Sequence, residues 1–206
     1  MKPSRFTAGV YDWDADVVGR PSGDRWQQLG GDTPGAASES FPMVILVLTA
    51  EIYPNALLLQ RRTPANSSSG FDLLANVSGR LHSSDCRLAG GVLPELPERA
   101  WRLAAVRELW EECRIDLEDG DLEHVADLFE TIKAGNAYIR VFRASLTRQL
   151  AQVPHPAAWL AERCLAACTD EAILEDVRSG RCNEILERRY LSLFRGLMPG
   201  EAGRVV

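Results

Sequence analysis

Three glutamates, Glu108, Glu111 and Glu112, lie within five positions of one another near the middle of a 206-residue chain. On a helix turning about 100° per residue, Glu111 falls roughly 60° to one side of Glu108 and Glu112 roughly 40° to the other, so the three carboxylates share one arc. Like charges this close repel by roughly a few tenths of a kcal/mol per pair, and by more where water is excluded. A divalent cation among them reverses the sign. Mg²⁺ and Mn²⁺ take hard oxygen donors in octahedral geometry and keep several waters, which suits carboxylates beside a phosphate-bearing substrate. Arg107 stands one turn before Glu111 and can pair with it, holding that carboxylate in place. The plainer reading is that glutamates opposite an apolar stripe form the solvated face of an amphipathic helix.

The element that must carry these residues is a helix predicted over Glu98–Cys113. Pro97 stands at its start, and Glu98 lies in the first turn, where the helix dipole favours negative charge. Leu103, Val106, Leu109, Trp110 and Cys113 fall on one side at the helical period, leaving the other side acidic. Upstream, the apolar runs Met43 to Thr49 and Ala56 to Gln60 flank the turn residues Tyr53-Pro54-Asn55 and read as a buried hairpin. Phe71 to Val77 reads as a short strand stopping at Ser78-Gly79, followed by a loop through Gly90-Gly91 to about Pro97. Downstream, His124 to Thr131 and Ala137 to Ala144 read as two more strands. Pro156 to Leu197 carries helical periodicity broken at Ser179-Gly180.

Residues 1–40, rich in Gly, Pro, Asp and Ser, read as an extended arm with isolated aromatics at Tyr11, Trp13 and Trp26. The chain length is that of one domain. A formal net charge of −6 disfavours attachment to nucleic acid or to an anionic membrane. The start has no apolar signal region, and the longest apolar run, Met43 to Leu48, is too short to cross a bilayer, so a soluble, cytoplasmic protein is expected. The five cysteines show no zinc-type pairing; Cys164 and Cys168, four apart in a helical pattern, read as small apolar packing.

The run Arg107-Glu108-Leu109-Trp110-Glu111-Glu112-Cys113-Arg114-Ile115 resembles the R-E-U-x-E-E-x-G-U core of the Nudix box, with Ala104 and Ala105 where that family has small residues. Leu57-Leu58-Leu59-Gln60-Arg61-Arg62 looks like the family's early strands, and Leu74 to Leu81 like the strand leading into the glycine that opens the box. Val125 to Phe129 and Tyr138 to Phe142 are similar to its later strands, so the likeness covers about Met43 to Leu146. It implies an α/β (α+β) fold, a Nudix-type α/β/α sandwich with a mixed sheet. Residues 41–150 would form the core, 1–40 an N-terminal arm and 151–206 a C-terminal helical extension packed on the same domain. It also implies water attack on a phosphorus of the pyrophosphate in a nucleoside diphosphate linked to another moiety. Glu111 and Glu112 would be the principal ligands of Mg²⁺ or Mn²⁺, with Glu108 a further ligand or the base for water, and with Arg107 and Gly79 in the same site. The expected partner is a small nucleotide or diphosphate; residues 1–40 and 156–206 are the segments that would cover the cleft or form a homodimer contact.

The full box, G-x5-E-x7-R-E-U-x-E-E-x-G-U, departs from this chain at three points. Its glycine would stand fourteen residues before Arg107, at Leu93. Either Gly79 opens the box with an insertion after it, or Gly91 does; Gly79 is favoured because it follows a strand directly. The box glutamate would stand at Arg99, with Glu98 adjacent and Glu95 near. Arg114 replaces the glycine at the helix exit, where left-handed backbone angles are often required and an arginine costs about 1 kcal/mol. Arg61, Arg62 and Arg80 are candidate phosphate ligands, His82 a candidate phosphate contact or acid–base group, and Glu130 a candidate further metal ligand. Two other functions fit the same residues: a Nudix-fold module that binds a nucleotide or a protein partner without cleaving anything, and isomerisation of a diphosphate at the same metal site.

Overall fold

The computed structural model describes residues 41–61, 73–82, 84–85, 97–132 and 135–200. The expected arm over residues 1–40, the Gly90-Gly91 loop, and Arg62, Leu93 and Glu95 lie outside the described residues. Seven strands form one mixed sheet: β1 (Phe41–Thr49), β2 (Ala56–Arg61), β3 (Leu74–Ala75), β4 (Val77–Arg80), β5 (Glu123–Ile132), β6 (Gly135–Ser145) and β7 (Leu165–Thr169). The strand order is β3-β2-β1-β6-β5, with β4 beside β1 and β7 beside β2. The main helix is α1 (Glu98–Cys113). It is followed by α2 (Thr147–Leu150), α3 (Pro156–Ala161), α4 (Asp170–Arg178) and α5 (Glu184–Arg189), then a π turn over Tyr190–Phe194 and a 3₁₀ turn over Arg195–Leu197.

The described residues divide into two compact units, with β1, β4, α1 and β6 each contributing residues to both. In the first unit α1 is buried along almost its whole middle, from Ala100 to Leu109, with Ala104 and Ala105 fully buried. Small side chains there allow close packing. The exposed side of its first two turns is tied down by an ion pair and a hydrogen bond. Arg99 Nε lies 3.2 Å from Asp119, and Arg102 Nη1 donates to the Leu122 carbonyl at 2.6 Å.

In the second unit the hairpin expected from Tyr53-Pro54-Asn55 is present: the Tyr53 N–H donates to the Ala50 carbonyl at 2.9 Å, and Leu48 faces Leu58 across antiparallel β1 and β2. Leu57, Leu58 and Leu59 are all buried, as a strand covered on both faces requires. Along Ala56 to Gln60, β2 pairs with β7 as well as with β1. Asp170 at the start of α4 accepts from the Tyr190 hydroxyl at 2.7 Å and from Arg195 at 2.6 Å, fastening the last turns of the described chain.

Three expectations need correction. Residues 165–169, read as helical, are strand: they pair antiparallel with five β2 residues, from Ala56 opposite Thr169 to Gln60 opposite Leu165. Cys164 and Cys168 therefore do not share a helical face; Cys164 is exposed at φ 58°, just before the strand. The chain also does not leave its strand at Ser78-Gly79, because β4 runs through Gly79 to Arg80, and the Leu81 N–H donates to the Pro42 carbonyl at 3.3 Å. Among the described residues no helix is long and apolar enough to cross a membrane.

Candidate functional site

The acidic side of α1 is not a solvated face. Glu108 is only 7% exposed and Arg107 is 0% exposed. A buried guanidinium is tolerated only where anions and acceptors surround it, and Arg107 uses every nitrogen. Its Nη1 donates to Glu108 Oε1 at 2.7 Å and to Glu111 Oε2 at 2.9 Å. Its Nη2 donates to the Arg80 carbonyl at 2.6 Å and to Asp85 Oδ2 at 3.3 Å, and its Nε lies 3.2 Å from Asp85 Oδ1. The expected Arg107–Glu111 pair is therefore present, as one contact in a larger cluster.

Gly79 explains how Glu108 fits. A Cβ on Gly79 would lie 1.9 Å from Glu108 Cδ and 2.1 Å and 2.2 Å from its two carboxylate oxygens. The carboxyl group occupies the volume that any other residue's side chain would claim, so glycine here is a packing requirement and not a turn requirement. Burial pushes the Glu108 carboxyl up to about 7, against the pull of the Arg107 guanidinium and with the added push of the Glu111 and Asp85 charges. A group poised there exchanges a proton near neutral pH.

His82 lies at the edge of the same cluster. Its backbone N–H donates to Asp85 Oδ2 at 2.8 Å, and its ring Nδ1 is buried with no hydrogen-bond partner among the described residues. Burial, followed by the Arg107 charge, holds the imidazole below its ordinary value, so the ring is mostly neutral at pH 7. Arg80 contributes its backbone carbonyl; its guanidinium sits 4.1 Å over the Phe41 ring.

Arg61 belongs to the second unit, where it pairs with Asp176 at 2.9 Å. Glu98 pairs with Arg140 and, at 3.3 Å, with Arg102. Glu130 is buried near the end of β5. Glu112 and Arg114 group with the second unit, and Arg114 has φ 55°, the left-handed angle expected at the helix exit. The residue that sequence reasoning missed is Asp85. It is fully buried and touches Arg107 through both oxygens.

Among the described residues, no three His, Cys, Asp or Glu side chains gather as a metal site would require. Glu108 and Glu111 converge on Arg107 Nη1 instead. The donor chemistry nonetheless suits Mg²⁺ or Mn²⁺, since carboxylate oxygens are the hard ligands such ions take, and the glycine cradle brings one of them against β4.

No protein-family model matches the sequence, and no curated protein matches it. Solved structures do. A NUDIX hydrolase from Alicyclobacillus acidocaldarius aligns over 80% of this chain and 95% of its own, at 13% identity and a TM-score of 0.55. A MutT/nudix family protein from Enterococcus faecalis aligns over 52% of this chain at 15% identity and a TM-score of 0.39; this chain spans 37% of its length. A protein from Deinococcus radiodurans aligns over 74% of this chain and 82% of its own, at 17% identity and a TM-score of 0.48. The architecture is thus α+β with a mixed sheet. It is the Nudix hydrolase fold, shared with the first of these structures across most of both chains.

Proposed function

We propose that the protein is a Mg²⁺- or Mn²⁺-dependent hydrolase that cleaves a pyrophosphate bond in a nucleoside diphosphate-linked or related small substrate. The observation that carries this reading is the buried Glu108 carboxyl, packed on Gly79 and held by Arg107 beside Glu111. A carboxyl near pKa 7 accepts a proton from water at neutral pH while remaining fixed by a guanidinium that cannot itself titrate. Glu111 and Glu112 would hold the ion, with Glu108 as a further ligand or as the base. An ion held by these residues would supply neutralisation of charge on phosphoryl oxygens and a lowered pKa for water beside it. His82, at the edge of the same cluster, would be a candidate contact for a phosphate oxygen.

The test is a panel of nucleoside diphosphate sugars, dinucleoside polyphosphates and nucleoside triphosphates, assayed with and without Mn²⁺. Metal-dependent turnover that is lost in Glu112→Gln is the expected result; absence of turnover on every member, or turnover unchanged by that substitution, removes the proposal. One observation favours a second reading, a nucleotide-binding module without cleavage: Glu108 and Glu111 are both committed to Arg107. Calorimetry separates the two readings, because a binding module returns its ligand intact.

A further inference from the structure

The Glu108 carboxyl fills the space that a side chain on Gly79 would take, so it sits without slack and its fit depends on the setting of α1 against β4. Near the C-terminal end of the helix, the bond from Arg107 to the Arg80 carbonyl holds α1 to that strand. A 16-residue helix is about 24 Å long, and an attachment near one end leaves its tilt to whatever holds the other. At the N-terminal end that attachment is Arg140, on β6. Its Nη1 donates to Glu98 in the first turn of α1, its Nε donates to Asp127 Oδ1 of β5 at 3.0 Å, and its Nη2 donates to the Tyr138 hydroxyl at 3.5 Å. The guanidinium carbon stands 4.9 Å from the centre of the Trp101 ring, which meets the Tyr138 ring edge-on at 5.5 Å. Arg102 ties the same turn to the Leu122 carbonyl; Arg140 ties it to the sheet.

Only 14% of the Arg140 side chain is exposed, so its ion pairs are not screened as surface pairs are. Burial would raise the Asp127 carboxyl, but hydrogen bonds from Tyr138 and Arg140 and the Arg140 charge hold it below its ordinary value, and the anion persists at neutral pH. Trp101 stands seven residues before Glu108, about 10 Å along the helix axis and about 20° away on the wheel, so the two share one stripe of α1. A rotation or tilt of the helix under Arg140 therefore carries the Glu108 carboxyl with it. We infer that Arg140 is a positioning residue of the candidate site, acting through Glu98 and Trp101 on the setting of α1 and thereby on how Glu108 meets Gly79. The kinetic part of this inference rests on the hydrolase reading above; the attachment of α1 to β5 and β6 does not.

The full-length protein and its Arg140→Gln and Arg140→Lys variants decide the matter. Well below the unfolding temperature of each, Arg140→Gln is expected to lower kcat on the best panel substrate about 30-fold and to change KM less than about threefold, as a displaced reacting group does. Arg140→Lys keeps the charge but not the planar fork that reaches Glu98, Asp127 and the Trp101 ring together, so it should recover less than about a third of the lost kcat. A residue that only stabilises the fold leaves the kcat of the folded protein intact. If Arg140→Gln lowers the melting temperature alone, or raises KM by as much as it lowers kcat, the inference is overturned; if that variant does not fold, a wild-type kcat in Arg140→Lys overturns it. Should the wild type hydrolyse nothing, the ¹⁵N spectrum remains as a readout. Shifts of the Glu108 backbone N–H and the Arg107 Nε–H in the Arg140 variants support the assignment, and signals that stay in place while those of Asp127 and Tyr138 move refute it.

Discussion

Two arginine clusters in this protein are built with opposite arithmetic. In the first unit a single fully buried cation, Arg107, faces Asp85, Glu108 and Glu111. In the second, one buried anion, Asp176, is shared by two half-exposed cations, Arg61 at 2.9 Å and Arg181 at 2.6 Å. Both pin elements that are distant in sequence. Among the described residues the first sets three carboxyl groups against one guanidinium; burial raises the Glu108 carboxyl, and the Glu111 and Asp85 charges add to it. Asp176 moves the other way: burial pushes it up, but hydrogen bonds from Arg181 and Arg61 outweigh burial and hold it below its ordinary value. A balanced ion cluster can be wholly structural, whereas one with surplus charge of one sign has capacity left for a proton or a cation.

This contrast can be broken experimentally. The largest effect is expected for Glu108→Gln, which preserves shape and removes the titrating group: kcat should fall about 10³-fold, within the range for loss of a general base, and a steady-state assay with Mn²⁺ measures it. Gly79→Ala should be nearly as harmful to activity, since its Cβ would displace the Glu108 carboxyl. It should also cost about 1–3 kcal/mol of stability by overpacking, read from urea unfolding. The pH dependence has opposite signs in the two clusters. Between pH 4.5 and about 7 the native chain keeps the Glu108 proton that the unfolded chain releases, so the stability Glu108 contributes declines as pH rises through that window, while activity rises. Asp176 contributes above its ordinary value of 3.8 and loses that contribution as pH falls below it. Unfolding curves of Glu108→Gln and Asp176→Asn across pH should each lose the corresponding limb. At pH 7 Asp176→Asn should cost about 1 kcal/mol, small because both arginines reach solvent, and leave kcat unchanged. The smallest effect belongs to Arg114→Gly, which should stabilise by about 1 kcal/mol by relieving a left-handed arginine.

What the sequence made legible was local. The bounds of α1, the Arg107–Glu111 pair one turn apart and the left-handed angle at Arg114 all follow from neighbours within a few residues. The hairpin at Tyr53-Pro54-Asn55 is equally short-range. The partners of buried charges were hidden. Asp85 reaches Arg107 from 22 residues away, and Asp176 reaches Arg61 across 115, distances over which neither helical nor strand periodicity carries information. The strand β7 was misread because Leu165-Ala166-Ala167-Cys168-Thr169 holds small residues that satisfy either period, and only its pairing with β2 decides between them. The acidic face of α1 was read correctly in angle but not in environment, since a helical wheel contains no information about what lies opposite.

The pairing of β2 with β7 has a consequence for how the protein is made. Residues 56–60 leave the ribosome more than a hundred residues before Leu165 to Thr169, so during synthesis this leucine-rich segment waits without the neighbour that will hydrogen-bond along it. A nascent chain stalled in that interval presents an open strand edge, the template on which other chains assemble.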